Sequence, residues 1–328
     1  MLKKNPFIVD RLNLYSQFKS LVLFLNRYYF RSFIPKLSSD QIHHLNILRN
    51  DGFVLIENFL DEKTLTTLQQ ELEDSLHHLN FDTPCLAQSQ IDPIEHKFLI
   101  NNFLLGSDTE LEKAGVMFKK EEVISYQQVL NDFKPSTLTT QILEYSECYR
   151  KIWLDPYILG IVSSYLGLIP HLSEAYVRRN FPASYKTMNH YWHRDLNSSH
   201  LLKVFVFLSD CNEENGPHEY ISGSHKQYEI LNGKRYFHDD DVDKLFPAGH
   251  PRRKTSIVKA GTIVIEDTRG VHRAKLPANG WRDLGYMVFM PLRPFYPYQN
   301  FKFPIKAYNR LNSFQKLFIH KKTKAPGK

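Results

Sequence analysis

Tyr191-Trp192-His193-Arg194-Asp195 sets an imidazole and a carboxylate two residues apart. On an extended strand such positions point to one face, so His193 and Asp195 can converge on one ion from a single strand end. A third donor has to arrive from elsewhere. His272 can supply it, following the apolar run Thr262–Glu266 through Asp267-Thr268-Arg269-Gly270-Val271. Two imidazoles and one carboxylate on one face of an octahedron leave three positions open. Non-haem Fe(II) uses that arrangement to hold a bidentate co-substrate and O2 together. Arg282 lies ten residues beyond His272, beside the apolar run Leu284–Met290. Its permanently charged fork suits the far end of a dicarboxylate. His193-Arg194-Asp195-Leu196 also matches a protein-kinase catalytic loop. The context excludes that reading: His200 stands where the loop's asparagine belongs, and the chain has neither a Gly-rich loop nor an Asp-Phe-Gly.

These residues need a scaffold, and the chain changes texture along its length. Residues 41–50 read as a helix running into the turn Asp51-Gly52, and Phe53–Ile56 as a buried strand. Asp61 is placed to cap a helix carrying Leu65, Leu68, Leu72 and Leu76 at helical spacing. Residues 80–125 read as loops with short apolar runs. Residues 136–166 read as helix, interrupted near Asp155-Pro156 because the residue before proline is pushed out of the helical region. From about residue 172 short runs rich in Val, Ile, Phe and Tyr take over: Ser173–Arg179, Tyr191–Asp195, Leu201–Ser209, Ser256–Ala260, Thr262–Glu266 and Leu284–Met290. Many short strands after a helical start predict a barrel or double-sheet roll with helices outside. Residues 227–255 interrupt them as a surface excursion or lid, with a short helix capped near Asp239.

Arg178-Arg179-Asn180-Phe181, Tyr191–Asp195, Asn215-Gly216-Pro217, Gly223-Ser224-His225-Lys226, His272 and Arg282 together resemble the phytanoyl-CoA dioxygenase family, which includes ectoine hydroxylase. Asp51–Leu55 and the helix after it also match. The resemblance spans about residues 45–292, with 80–170 matching only loosely. It implies a mainly β chain with α additions, built on a double-stranded β-helix (jelly-roll, cupin-like) core with flanking helices. It implies Fe(II) on His193, Asp195 and His272, O2 as oxidant, and the 5-carboxylate of the co-substrate 2-oxoglutarate on Arg282, with Asn180 also touching 2-oxoglutarate. The activity implied is dioxygenase chemistry that hydroxylates an unactivated C–H of a small molecule or lipid-like metabolite and releases succinate and CO2. Related halogenases replace the carboxylate with a small residue, so Asp195 reads as a hydroxylase feature. Ala274 stands where many members have a serine that helps hold the co-substrate, which leaves a second carboxylate contact open. Lys203 is a further candidate for it, against a snorkelling surface lysine. Ser222 replaces the usual proline of Pro-Gly-Ser-His, and His225 reads as holding that loop by hydrogen bonds. Two other readings compete: a catalytically silent jelly-roll kept for binding, and a cupin-like metal enzyme that does not use 2-oxoglutarate and would leave Arg282 without a ligand.

The 328 residues divide into an N-terminal extension (1–44), the oxygenase domain (45–292) and a C-terminal tail (293–328). Residues 1–40 carry seven Lys/Arg against two Asp, and 293–328 carry nine Lys/Arg and no acid, which leaves the remainder at −7. An acidic body with basic ends is not a nucleic-acid groove. Those ends either pack their aromatics on the body or form a surface suited to peripheral contact with an anionic membrane. Leu21–Leu25 is apolar but closed off by Lys19, Asn26, Arg27 and Arg31, too short to span a bilayer or to serve as a signal peptide. The expectation is a cytoplasmic protein, peripheral to the membrane at most. Cys85, Cys148 and Cys211 are widely separated and read as free thiols. The sequence leaves the substrate and the oligomeric state open.

Overall fold

The computed structural model describes residues 14–328 apart from 79–80, 83–88, 92–97, 101–122, 129, 132–134, 141, 184–185, 187, 197, 292–300, 321–323 and 326–328. Helix α1 (Leu14–Phe30) is clamped to the body by Asn26, whose side chain donates to Ile169 O and accepts from Ile169 N, both at 3.0 Å. Helix α2 (Ser39–Asp51) opens on a reciprocal capping box between Ser38 and Gln41. It stops at Gly52, whose φ of 76° is left-handed and costs glycine nothing. A Cβ there would also meet Tyr220 Oη and His225 Nδ1 at 2.3 Å. Strand β1 (Phe53–Ile56) follows, then α3 (Glu62–His78) behind its cap Asp61, with Leu68, Leu72 and Leu76 buried.

Residues 136–166 are not one interrupted helix. Thr137–Thr140 forms strand β2, and only then do α4 (Glu147–Trp153) and α5 (Pro156–Leu166) begin. Three β-branched threonines around the buried Leu138 favour the pleat, and the segment finds a partner in the end of β3 (His171–Asn180). The break falls as expected, with Asp155 as N-cap and Pro156 as the first helical residue of α5. The later elements are β4 (Trp192–His193), β5 (Leu202–Phe207), β6 (His218–Ile221), β7 (Tyr236–Phe237), α6 (Asp239–Leu245), β8 (Arg253–Thr255), β9 (Ile263–Glu266), β10 (His272–Ala274) and β11 (Arg282–Met290).

These eleven strands form two antiparallel sheets, ordered β1-β9-β5-β11-β3-β2 and β7-β4-β10-β6-β8. This is the double-stranded β-roll with helices packed outside. Alternation divides the larger sheet cleanly. Val54, Ile56, Val177, Val204, Val206, Ile263, Ile265, Met287 and Phe289 join the main core with α2, α3 and α5. Phe53, Phe205, Phe207, Val264 and Leu284 face the other way and pack with Tyr220 of the smaller sheet. Arg178, Asn180, Lys203, Glu266 and Arg282 share the alternation of that second face. The roll interior therefore carries both apolar filling and the polar side chains that matter for chemistry.

Ser256–Ala260 is not a strand either. The strand lies upstream as β8, and Val258 makes a single bridge to Cys211. Ser256 N donates to His218 O at the start of β6, and Ala260 N donates to the loop residue Asp210 through its Oδ1. Residues 227–255 leave the sheet and rejoin it, since Tyr236 pairs with His193 and Phe237 with Trp192. Helix α6 begins with Asp239, Asp240 and Asp241, the charge its N-terminus favours. At the C-terminal end, Phe301, Phe303, Phe318 and Ile319 are buried in the main core. Cys148 and Cys211 are free thiols, whereas Cys85 lies outside the described residues, as does most of 80–125.

Candidate metal centre

His193 ends β4, His272 begins β10, and the two residues pair directly across the antiparallel ladder. Their ring centroids are 4.1 Å apart. Asp195 lies just past β4, held by a hydrogen bond from its own N–H to Thr268 O at 2.8 Å. One ligand atom from each of the three side chains falls within 4.8 Å of the others, and all three residues are buried. Sequence spacing predicted this meeting, although the strand is shorter than Tyr191–Asp195.

Both imidazoles are set in the tautomer a metal needs. His193 Nδ1 lies 2.8 Å from Tyr191 O, and His272 Nδ1 lies 3.0 Å from Gly270 O. A carbonyl only accepts, so Nδ1 carries the proton and Nε2 turns its lone pair to the centre. Burial pulls His193 down to about 4 and pushes His272 well below its ordinary value, which keeps both rings neutral. Burial alone would raise Asp195, but the Lys203 ammonium beside it opposes burial and holds the carboxyl well below the usual range. Two neutral rings and one carboxylate form a donor set suited to a divalent transition metal with open positions.

Lys203 is not a surface side chain. It is 12 % exposed, and Nζ lies 2.6 Å from Asp195 Oδ2. Arg282 is 1 % exposed. Its Nη2 donates to Asn180 Oδ1 at 3.2 Å, while Nε and Nη1 have no hydrogen-bond partner among the described residues. Asn180 is in turn fixed by Thr137 Oγ1 at 2.8 Å. Burial lowers the Arg282 guanidinium to about 10, which still leaves it charged at neutral pH. Buried guanidinium N–H groups without acceptors carry a desolvation cost, and a bidentate carboxylate removes it.

Several supporting residues were missed in the sequence. Thr137 was hidden because its segment read as helix. Glu266 is fully buried, with its carboxylate 2.7 Å from His218 Nδ1, and the His218 ring lies 5.5 Å from that of His272. Trp192 is flanked by the guanidinium groups of Arg253 and Arg273, 5.2 and 4.5 Å from its ring centroid. Both arginines bond Glu219. This cluster pins β4 beside the first ligand. His225 accepts its expected duty, with Nε2 3.3 Å from Arg49 O, and Ser224 Oγ accepts from Val271 N at 2.8 Å.

Arg194, the middle residue of the motif, points away from the ligands and is fully buried. It donates to Arg269 O at 2.8 Å, Ser224 O at 2.9 Å and Gln227 O at 3.1 Å. It thereby binds the turn before His272 to the turn before the 227–255 segment. Arg194→Met takes the donor from Arg269 O and one of two donors from Ser224 O and Gln227 O, which keep Gln227 N and Ile230 N; a buried orphan costs about 1–3 kcal/mol. We expect a loss of about 1–3 kcal/mol, read as a lower urea midpoint at unchanged slope. An unchanged midpoint would show that the clamp is not structural.

The fold and this centre define a mononuclear non-haem iron oxygenase of the 2-oxoglutarate-dependent class. The family model for phytanoyl-CoA dioxygenase (PhyH) matches residues 48–276, well over half of the chain. The chain belongs to that family. It is 23% identical to an ectoine dioxygenase of Bordetella bronchiseptica over 274 residues, covering 76% of this chain and 73% of the relative. Among solved structures it is similar to HygX from Streptomyces hygroscopicus with nickel, 2-oxoglutarate and hygromycin B bound, at 17% identity and a TM-score of 0.48, covering 89% and 96% of the two chains. It is also similar to EctD from S. alaskensis with bound Fe, at 16% identity and a TM-score of 0.47, covering 78% and 77%. Among the described residues no helix is long and apolar enough to cross a membrane.

Proposed function

We propose that this protein hydroxylates an unactivated C–H of a small molecule or lipid-like metabolite. In this reading His193, Asp195 and His272 hold Fe(II), and Arg282 anchors the far carboxylate of 2-oxoglutarate. The observation that carries the reading is the guanidinium of Arg282, charged and buried inside the roll with two of its nitrogens, Nε and Nη1, still to be satisfied among the described residues. A cupin-like metal enzyme without 2-oxoglutarate would have no acceptor for them.

The bound iron and its co-substrate supply the oxidising power: one atom of O2 enters the substrate, the other enters succinate, and CO2 leaves. The chain supplies position and dryness. Asn180, itself held by Thr137, turns the Arg282 fork to one orientation, so a dicarboxylate enters with a single end leading. Lys203 keeps Asp195 ionised and fixed in rotamer. The carbonyls of Tyr191 and Gly270 hold the ligand imidazoles so that no proton sits between nitrogen and metal. Tyr236 stacks on His193, with ring centroids 5.9 Å apart, and closes one side of the centre to water.

The test is succinate formation by Fe(II)-loaded protein with a panel of small amines, amino-acid derivatives and acyl compounds. We expect at least one compound to raise succinate release well above the uncoupled background, with a hydroxylated product of equal yield. Iron binding with no 2-oxoglutarate turnover under any condition would return the protein to the silent-binder reading.

A further inference from the structure

Helix α1 is mounted the wrong way round for a helix that only packs. Its inward side is Leu23, against the main core, and Asn26, clamped to Ile169. The side turned to solvent carries Leu21, Phe24, Leu25, Tyr28 and Tyr29, exposed by 51%, 63%, 38%, 72% and 63%. Positions i, i+3, i+4, i+7 and i+8 form one stripe on a helix, and here that stripe is apolar and aromatic. Phe24 and Tyr28 stack within it at 6.4 Å, and Phe33 continues it past the helix end at 47% exposure. Contiguous apolar surface of this kind marks an interaction site.

A second observation lies beside the stripe. An open cavity of about 330 Å³ is lined by Arg27 of α1 together with Arg49, Lys226, Arg269, His200 and His225, with Tyr165, Leu166 and Ser199 completing the wall. Among the described residues no carboxylate lines it. Asp267, the partner of Arg269, is fully buried beneath. Arg27 reaches His200 rather than an acid, at 2.9 Å, and Arg49 reaches Ser164 O at 3.2 Å. The chain from Leu14 to Leu37 adds Lys19, Arg31 and Lys36 and holds no Asp or Glu.

We propose that this face docks the protein on an anionic lipid bilayer, with the α1 stripe in the headgroup–acyl boundary and lipid phosphate in the cationic cavity. Aromatic side chains with polar tips suit that boundary, and the cations beside them suit its charge. A second copy of the chain is the poorer occupant, because it would set two acid-free basic helices against each other. A buried apolar partner would likewise gain nothing from the cavity's charge. The inference is independent of the oxygenase reading.

The experiment is co-sedimentation of the full chain with sized vesicles, either pure phosphatidylcholine or one part phosphatidylglycerol to two parts phosphatidylcholine. We expect binding to the anionic vesicles at low salt, little to the neutral ones, and a steep fall as salt rises, since each cation near the surface contributes about fivefold. The exposed triple variant Phe24→Ser/Tyr28→Ser/Tyr29→Ser should bind at least about tenfold more weakly, and Arg49→Gln/Lys226→Gln about tenfold or more. Both variants should keep the wild-type circular dichroism and thermal midpoint. Phe24→Trp should show blue-shifted emission only with anionic vesicles. No binding at low salt, equal binding to neutral vesicles, or wild-type binding by the triple variant would overturn the proposal. So would a concentration-dependent dimer abolished by the triple variant without any vesicle binding.

Discussion

His193→Ala and His272→Ala should each abolish stoichiometric Fe(II) binding, or weaken it by well over about 100-fold, the upper range for losing a mere orienting partner of a ligand. The wild-type chain should bind one Fe(II). Each imidazole arrives with Nδ1 already committed to a backbone carbonyl, so its Nε2 has one role left. Truncation therefore removes a donor without freeing a substitute. Anaerobic equilibrium dialysis with metal analysis measures the effect. Wild-type affinity in both variants would place the iron elsewhere.

Arg282→Ala should leave iron binding nearly intact and raise the 2-oxoglutarate requirement sharply. Losing one partner of a buried charge-assisted pair costs about 2–5 kcal/mol. At about 1.4 kcal/mol per decade this is roughly a 30- to 5,000-fold rise. Arg282→Lys should recover only part of it, because an ammonium cannot reproduce the fork that Asn180 orients. Unchanged 2-oxoglutarate affinity in Arg282→Ala would move the anchor, with Lys203 next to test.

Much of this site was legible because chemistry with strict geometry leaves periodic marks. His193 and Asp195 are two apart because a strand end presents alternate residues to one side. Arg282 follows His272 at the start of the next strand, β11. The family resemblance was carried by the same residues. Less legible was whatever depends on pairing. Thr137–Thr140 has no strand signal apart from its threonines, and it becomes a strand because the end of β3 offers it an edge. β6 and β10 are too short and too polar to be read as strands, with His218, Glu219, His272 and Arg273 among their residues. Lys203 read more readily as a snorkelling lysine, since nothing local reveals that its strand face looks into the roll toward Asp195. The basic ends divide in a way that charge counting cannot foresee: the C-terminal aromatics Phe303 and Phe318 are fully buried, while Phe24, Tyr28 and Tyr29 of α1 stand in solvent.

The most direct test of the central claim is an anaerobic titration of Fe(II)-loaded protein with 2-oxoglutarate, followed by the visible charge-transfer absorption that appears when a 2-oxo acid chelates Fe(II). The account predicts a band saturating at one 2-oxoglutarate per chain. Arg282→Ala should need far higher 2-oxoglutarate to reach it, and His272→Ala should lack it. Wild-type protein that binds iron yet develops no band at any 2-oxoglutarate concentration would contradict the account.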